Sequence, residues 1–198
     1  MPIVNPTQHL MKVQAPPEVA QTLQGMMGKL ATQPQLNSML NGVPGYVGAI
    51  TYDSPVEVGD GKVAVINYVT AEEAKAGKYG HWICLDNRDP HILKYMGPYG
   101  LPPDVARVAL HLPHSDLMRQ RIESVKGDKL VFINHKQFQD FIPLSDDCGV
   151  WSSIFTLDPY DPRKPIYNVG DPSPERAAEL EQQFLSGKLK QSLQENQL

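Results

Sequence analysis

At Gly45 the spacing of apolar residues changes, and that change limits what this chain can fold into. Upstream, Val19, Leu23, Met26, Met27 and Leu30 recur at three- and four-residue steps. That is the period of a helix, and it predicts one over residues 18–30 with its methionines packed in a core. A second, short helix is predicted over residues 33–40, stopping at Asn41-Gly42. Downstream, short apolar runs bounded by turn residues replace the helical period. Residues 46–52 and 62–69 read as strands separated by the turn pair Asp60-Gly61, and 80–86 as a third strand. A tight turn at Asn87-Arg88-Asp89-Pro90 returns the chain as a fourth strand over 91–96. The loop 97–103 leads into a helix over 104–111, and 129–134 is a further strand. The apolar run that begins at Cys148 is long enough for a buried helix. The pattern predicts an α+β fold, a central mixed β-sheet with helices packed around it.

Size and composition narrow the class. A chain of 198 residues with 41% hydrophobic and 20% charged residues has the composition of an ordinary globular domain. It is long enough to bury roughly 70% of its unfolded surface. One domain is expected over 1–158, with 1–42 as its N-terminal helical segment. A Pro-rich loop and a helical arm follow over 159–198, the helix running over 174–194 with Ser173 as N-cap and Pro174 in its first turn. No apolar run approaches the ~20 residues of a membrane span, and Met1-Pro2-Ile3-Val4-Asn5 lacks the blocks of a signal peptide. Two cysteines give no disulfide framework, so a reducing compartment is expected. The net charge is −4, and Arg119, Arg121, Lys126, Lys129, Arg163, Lys164, Lys188 and Lys190 are dispersed, which argues against a nucleic-acid surface. None of the usual zinc spacings is present, and no metal or cofactor is expected.

Two segments carry the chemistry. Gly80-His81-Trp82 opens one apolar run and Asp147-Cys148-Gly149 opens another. Ser145, Asp146 and Asp147 all suit an N-cap, so Cys148 falls in the first turn of its helix, where unpaired N–H groups and the helix dipole stabilise a thiolate. The two aspartates oppose that effect unless they cap the helix. Strand alternation groups His81 with Ile83 and Leu85, and Trp82 with Cys84 and Asp86. A histidine at the rim of a sheet, facing a helix start, is a candidate base. Gln139 supplies an amide donor for an oxyanion beside the Cys148 N–H. Gln137 shares its face in an extended segment, and spacing does not choose between the two. Thiol, imidazole and side-chain amide are the parts of acyl transfer through a thioester. Cys84 reads as a buried small hydrophobe.

The order His, Gln, Asp-Cys-Gly resembles that of the adenovirus-type maturation cysteine proteases, which are related in fold to the peptidases that remove SUMO-like modifiers. Residues 44–53 (Pro-Gly-Tyr-Val-Gly-Ala-Ile-Thr-Tyr-Asp), Val63-Ala64-Val65-Ile66-Asn67 and Gly80-His81-Trp82 are similar to the segments leading into the adenoviral catalytic histidine. Met96-Gly97-Pro98-Tyr99-Gly100 looks like the segment carrying that family's acid. The stretch from Asn134 to Gln139, with Asp147-Cys148-Gly149-Val150-Trp151, is similar to the Gln-to-Cys block of virophage and Polinton-type proteases. The resemblance covers roughly residues 43–157. It implies a papain-like, adenain-like fold and an endopeptidase that cuts capsid or other structural precursors beside small residues such as glycine. It also implies catalysis by Cys148, His81 and Gln139, and action in the virion and the host-cell cytoplasm. The adenoviral enzymes are stimulated by a peptide and by DNA, so an activating peptide is a further expected partner, for which the 159–198 arm is a candidate substitute in cis. The chain departs from the family at Gly97, where an Asp or Glu usually precedes Pro-aromatic-Gly; glycine cannot orient or stabilise an imidazolium. The alternatives are an isopeptidase acting on ubiquitin-like modifiers and an inactive capsid-associated module of the same fold.

Overall fold

The computed structural model describes residues 31–78, 80–138 and 148–157. The helices expected over 18–30 and 174–194, the cap residues 145–147, Gln139 and the whole 159–198 segment lie outside the described residues. The elements are α1 (Gln33–Leu40), β1 (Tyr46–Thr51), β2 (Val63–Asn67), α2 (Ala71–Lys75), β3 (Trp82–Asp86), β4 (Ile92–Met96), α3 (Val105–Ala109), α4 (Leu117–Lys126), β5 (Leu130–Ile133) and α5 (Cys148–Leu157).

The five strands form one mixed sheet in chain order. Its outer pairs, β1–β2 and β4–β5, are parallel, while β2–β3 and β3–β4 are antiparallel. The fold is α+β, as the change of period implied. Asp60-Gly61 does turn the chain, but it closes no hairpin: residues 52–62 cross back so that β2 runs parallel to β1. Between Asn87 and Pro90 the chain does turn back on itself, and β3 and β4 pair through Cys84–Met96, Leu85–Tyr95 and Asp86–Lys94.

Both faces of the sheet are covered. Ala49, Val63, Val65, Trp82, Cys84 and Met96 pack with Leu36, Met39 and Leu40 of α1 and Val150, Trp151, Ile154 and Phe155 of α5. Ile50, Ala64, Ile66, Ile83, Leu85, Leu93 and Tyr95 face the other way, onto Tyr52, Tyr68, Tyr99, Val105, Met118 and Ile122. Each aliphatic side chain removed from water contributes about 1.5–3 kcal/mol. β3 lies in the middle and is buried at all five positions. β1 is an edge strand, and α1 covers part of that edge. The Asn37 Oδ1 accepts the Ala49 N–H at 2.7 Å, and the Gln33 amide donates to the Ala49 carbonyl at 2.8 Å, which satisfies backbone groups an edge would expose.

Two helices have capping boxes visible in the sequence. Thr32 and Gln35 exchange side-chain and backbone hydrogen bonds at the start of α1, and Thr70 and Glu73 do so for α2. α4 was not expected; its buried Met118 and Ile122 lie four residues apart. No side chain of its own caps it. Asp104, buried and with φ of 70°, does this from a distance: its carboxylate accepts the Met118 and Arg119 N–H groups, both at 3.1 Å, and the Tyr52 hydroxyl. The Asp104 N–H in turn donates to the Tyr68 hydroxyl at 3.2 Å. Arg107 closes the network, donating to the Tyr68 carbonyl at 2.5 Å and forking onto Glu73 at 2.8 and 3.0 Å. Those bonds hold the Glu73 carboxyl below its ordinary range.

Because the buried Asp104 carboxylate accepts from Tyr52, Met118 and Arg119, Asp104→Ala is expected to destabilise the fold by about 2–4 kcal/mol. The urea midpoint should fall with an unchanged slope, and Asp104→Asn should recover part of the loss.

Candidate active site

α5 carries Cys148 as its first residue, and every residue from Cys148 to Thr156 is buried. Two of its hydroxyls bond within the helix, Ser153 donating to the Gly149 carbonyl at 2.7 Å and Thr156 to that of Ser152 at 2.8 Å, while the buried Ser152 hydroxyl has no partner among the described residues. At the far end Arg88 donates to the Thr156 carbonyl at 2.8 Å while forking onto Asp86 at 2.8 and 2.9 Å. A guanidinium at the helix C-terminus suits both the open carbonyls and the dipole. It also commits Asp86, so that carboxylate serves α5 rather than His81. At the N-terminal end the helix rests on the start of β3. A Cβ at Gly149 would lie 3.5 Å from Trp82 Cδ1 and would clash with Ala31 Cβ. Trp82 donates its indole N–H to the Ala31 carbonyl at 2.9 Å. Ala31, Trp82 and Gly149 thus close together beside Cys148, which is 2% exposed.

His81 immediately precedes β3, and its carbonyl accepts the Tyr68 N–H at 2.9 Å. Gly80 makes this approach possible, because a Cβ there would collide with the Asn67 side chain. The imidazole lies on the face of Ile83 and Leu85. It stacks on Tyr99 with centroids 3.9 Å apart and planes within 5°, and on Tyr68 at 6.4 Å and 27°. Tyr52 continues the row, 5.3 Å from Tyr68. The ring is 1% exposed, and neither nitrogen has a hydrogen-bond partner among the described residues. Burial pushes its pKa down to about 3, so at neutral pH it is an uncharged imidazole. His81 and Cys148 therefore arrive at the same end of β3 from the two faces of the sheet, without a thiol–imidazole hydrogen bond.

The segment expected to carry an acid is a tight turn. The Gly97 carbonyl accepts the Gly100 N–H at 2.9 Å and the Asn134 side-chain amide at 2.8 Å. Gly100 has φ of +68°, and a Cβ on it would lie 2.6 Å from the His135 carbonyl oxygen, so this glycine is required by the backbone. Gly97 is different. A Cβ there would meet Tyr95 Oη at 3.4 Å and Ile83 Cγ2 at 3.6 Å, ordinary contacts, so packing does not demand glycine at this position. The chain after β5 runs alongside, with the Phe138 N–H on the Pro98 carbonyl at 2.8 Å. Gln139 follows directly, outside the described residues.

Cys84 receives the Thr156 hydroxyl at 3.4 Å. Burial, then the Asp86 charge, pushes its thiol up to about 12, which suits a packing residue and not a nucleophile. Neither cysteine forms a disulfide. Among the described residues no group of three His, Cys, Asp or Glu is placed to hold a metal ion, and no helix is long and apolar enough to cross a membrane. The residue the sequence reading passed over is Tyr99. Its one signal was the register of the β3–β4 hairpin, which, continued past the strand ends, sets position 99 opposite position 81. No protein-family model matches the sequence, and no curated protein matches it.

Two outcomes follow from this packing. Between pH 6.5 and about 3 the unfolded chain binds a proton at His81 that the folded chain excludes. Stability therefore falls as pH drops through that window, by up to about 1.4 kcal/mol per pH unit from this group. Urea titrations between pH 7 and 4 should show a shallower decline in His81→Phe. Gly149→Ala should cost about 1–3 kcal/mol by overpacking against Ala31, seen as a lower thermal midpoint.

Proposed function

We propose that this protein is a cysteine endopeptidase of the viral-maturation type, cutting structural precursor proteins beside small residues. The observation that carries this reading is that Cys148 heads a helix whose start packs on Trp82, the residue after His81, in the chain order the resemblance expects. The two side chains lie on opposite faces of the strand, so the reaction requires the His81 segment to turn toward the sulfur. The family attribution, the substrate class and the virion or host-cell setting rest on that resemblance.

In the proposed reaction His81 takes the Cys148 proton and the sulfur attacks the scissile carbonyl carbon, forming a C–S bond and an oxyanion. The Cys148 N–H and the Gln139 amide would hold that oxygen. Collapse breaks the C–N bond, and the proton on His81 passes to the departing amine. His81 then deprotonates a water that attacks the thioester, releasing the acid and restoring the thiol.

What supports a resting form is the burial of both groups and the neutral imidazole. A substrate has to open this buried site to reach the sulfur, and admitting water would relieve the desolvation that holds the imidazole pKa down. Catalysis through a dyad is chemically sufficient, because a thiol gives up its proton more readily than a serine hydroxyl.

The test is cleavage of a peptide library with small residues before the scissile bond, read by mass spectrometry, with a SUMO-type fusion beside it. Cleavage after small residues, abolished in Cys148→Ala and reduced at least about 100-fold in His81→Ala, is the expected result. A Gly-Gly vinyl sulfone probe should label Cys148 and spare Cys84. Labelling of neither cysteine, together with no cleavage, would contradict the reading and favour a non-catalytic module. Cleavage restricted to the fusion would move the substrate class to modified proteins.

A further inference from the structure

We propose that Tyr99 is the positioning residue for His81, its ring doing the orienting work that an acid at position 97 would otherwise do. This rests on the protease reading above.

Three observations carry it. First, the imidazole plane is fixed by stacking alone among the described residues. Both ring nitrogens lack hydrogen-bond partners, while Tyr99 lies 3.9 Å away and parallel within 5°, with Tyr68 on the row at 6.4 Å. Second, Tyr99 is itself held. The turn bond from Gly100 to Gly97, the Asn134 amide on Gly97, the Phe138 N–H on Pro98 and the left-handed Gly100 against the 135–136 backbone tie the loop down on both sides of Tyr99. Third, Gly97 offers the imidazole no side chain, and the polar group nearest the position of a Cβ there is Tyr95 Oη at 3.4 Å. That hydroxyl is engaged with Tyr68 Oη at 2.5 Å.

The stack also suits the proton transfer. An aromatic face carries negative quadrupole density and attracts a cation placed over it. When His81 takes the thiol proton, the tyrosine face stabilises the imidazolium, the second task of the absent carboxylate. The titratable groups turned toward the ring are Tyr68, from the end of β2, and Tyr99, after β4; Cys148 heads α5 at the same sheet end.

The experiment uses the full chain and reads two quantities, Cys148 alkylation by iodoacetamide at pH 7 and the His81 imidazole titration by 15N spectroscopy. Tyr99→Phe keeps the face and should stay within about twofold of wild type. Tyr99→Leu should slow alkylation about three- to thirtyfold. Replacing Tyr99 by progressively fluorinated phenylalanines keeps shape and packing while weakening and then reversing the quadrupole. The rate and the imidazole pKa should fall together along that series, which a purely structural role would not produce. A rate and a titration flat across the series, or faster alkylation in Tyr99→Leu, would overturn the proposal. His81→Ala separates the two levels. If it alkylates at the wild-type rate, the protease reading fails, and the imidazole titration alone still decides the stack.

Discussion

The strict alternation along β3, buried on both faces, sets everything else in this molecule. A strand with no solvent face must supply complementary surfaces on both sides at once, and this one divides its residues cleanly. Trp82 and Cys84 meet α5 and α1, while Ile83 and Leu85 meet the tyrosine-rich layer and the α3–α4 side. A one-residue slip would exchange the two sets and bring His81 into the α5 interface, a change of face that buried strands do not tolerate. The packing of the helix headed by Cys148 and the aromatic row are thus two consequences of one register.

The aromatic row has a structural task as well as the proposed chemical one. Tyr52, Tyr68 and Tyr95 are buried phenols, and each is hydrogen-bonded, to Asp104 or to one another. Burial and the neighbouring Asp104 push all three above their ordinary pKa, so they remain neutral hydroxyls through the physiological range. Arg107, lying 4.6 Å above the Tyr52 ring and paired with Glu73, completes a polar core in which charges are compensated. Such networks are costly when any one member is removed, which gives the loop carrying Tyr99 a stiff foundation.

Much of this was legible in the sequence, and the exceptions have physical causes. α1, the β3–β4 hairpin, β5 and the start of α5 at Cys148 follow from period, turn residues and the long apolar run. The parallel pairing of β1 and β2 was hidden because Asp60-Gly61 signals a turn and not the direction in which the chain then travels. α2 and α4 were passed over although Thr70 and Glu73 spell a capping box and Met118 and Ile122 share a helical face; charged residues dominate both segments and mask the period. His81 and Cys148 were singled out as candidates from their local settings, whereas the stack of Tyr99 on His81 needed the register, which depends on pairing that no local pattern encodes. The Asp104 cap was likewise unreadable, since it joins residues distant in the chain.

The account stands on Cys148 and His81 acting as a pair, and the pH dependence of Cys148 alkylation in wild type and His81→Ala tests that most directly. Cys148 is buried, so alkylation reports the sulfur with solvent admitted. The account predicts an inflection below the ordinary thiol value of about 8.5 in wild type, moved upward in His81→Ala, with the pH 7 rate falling at least about tenfold. Superimposable profiles with an ordinary or raised inflection would contradict it.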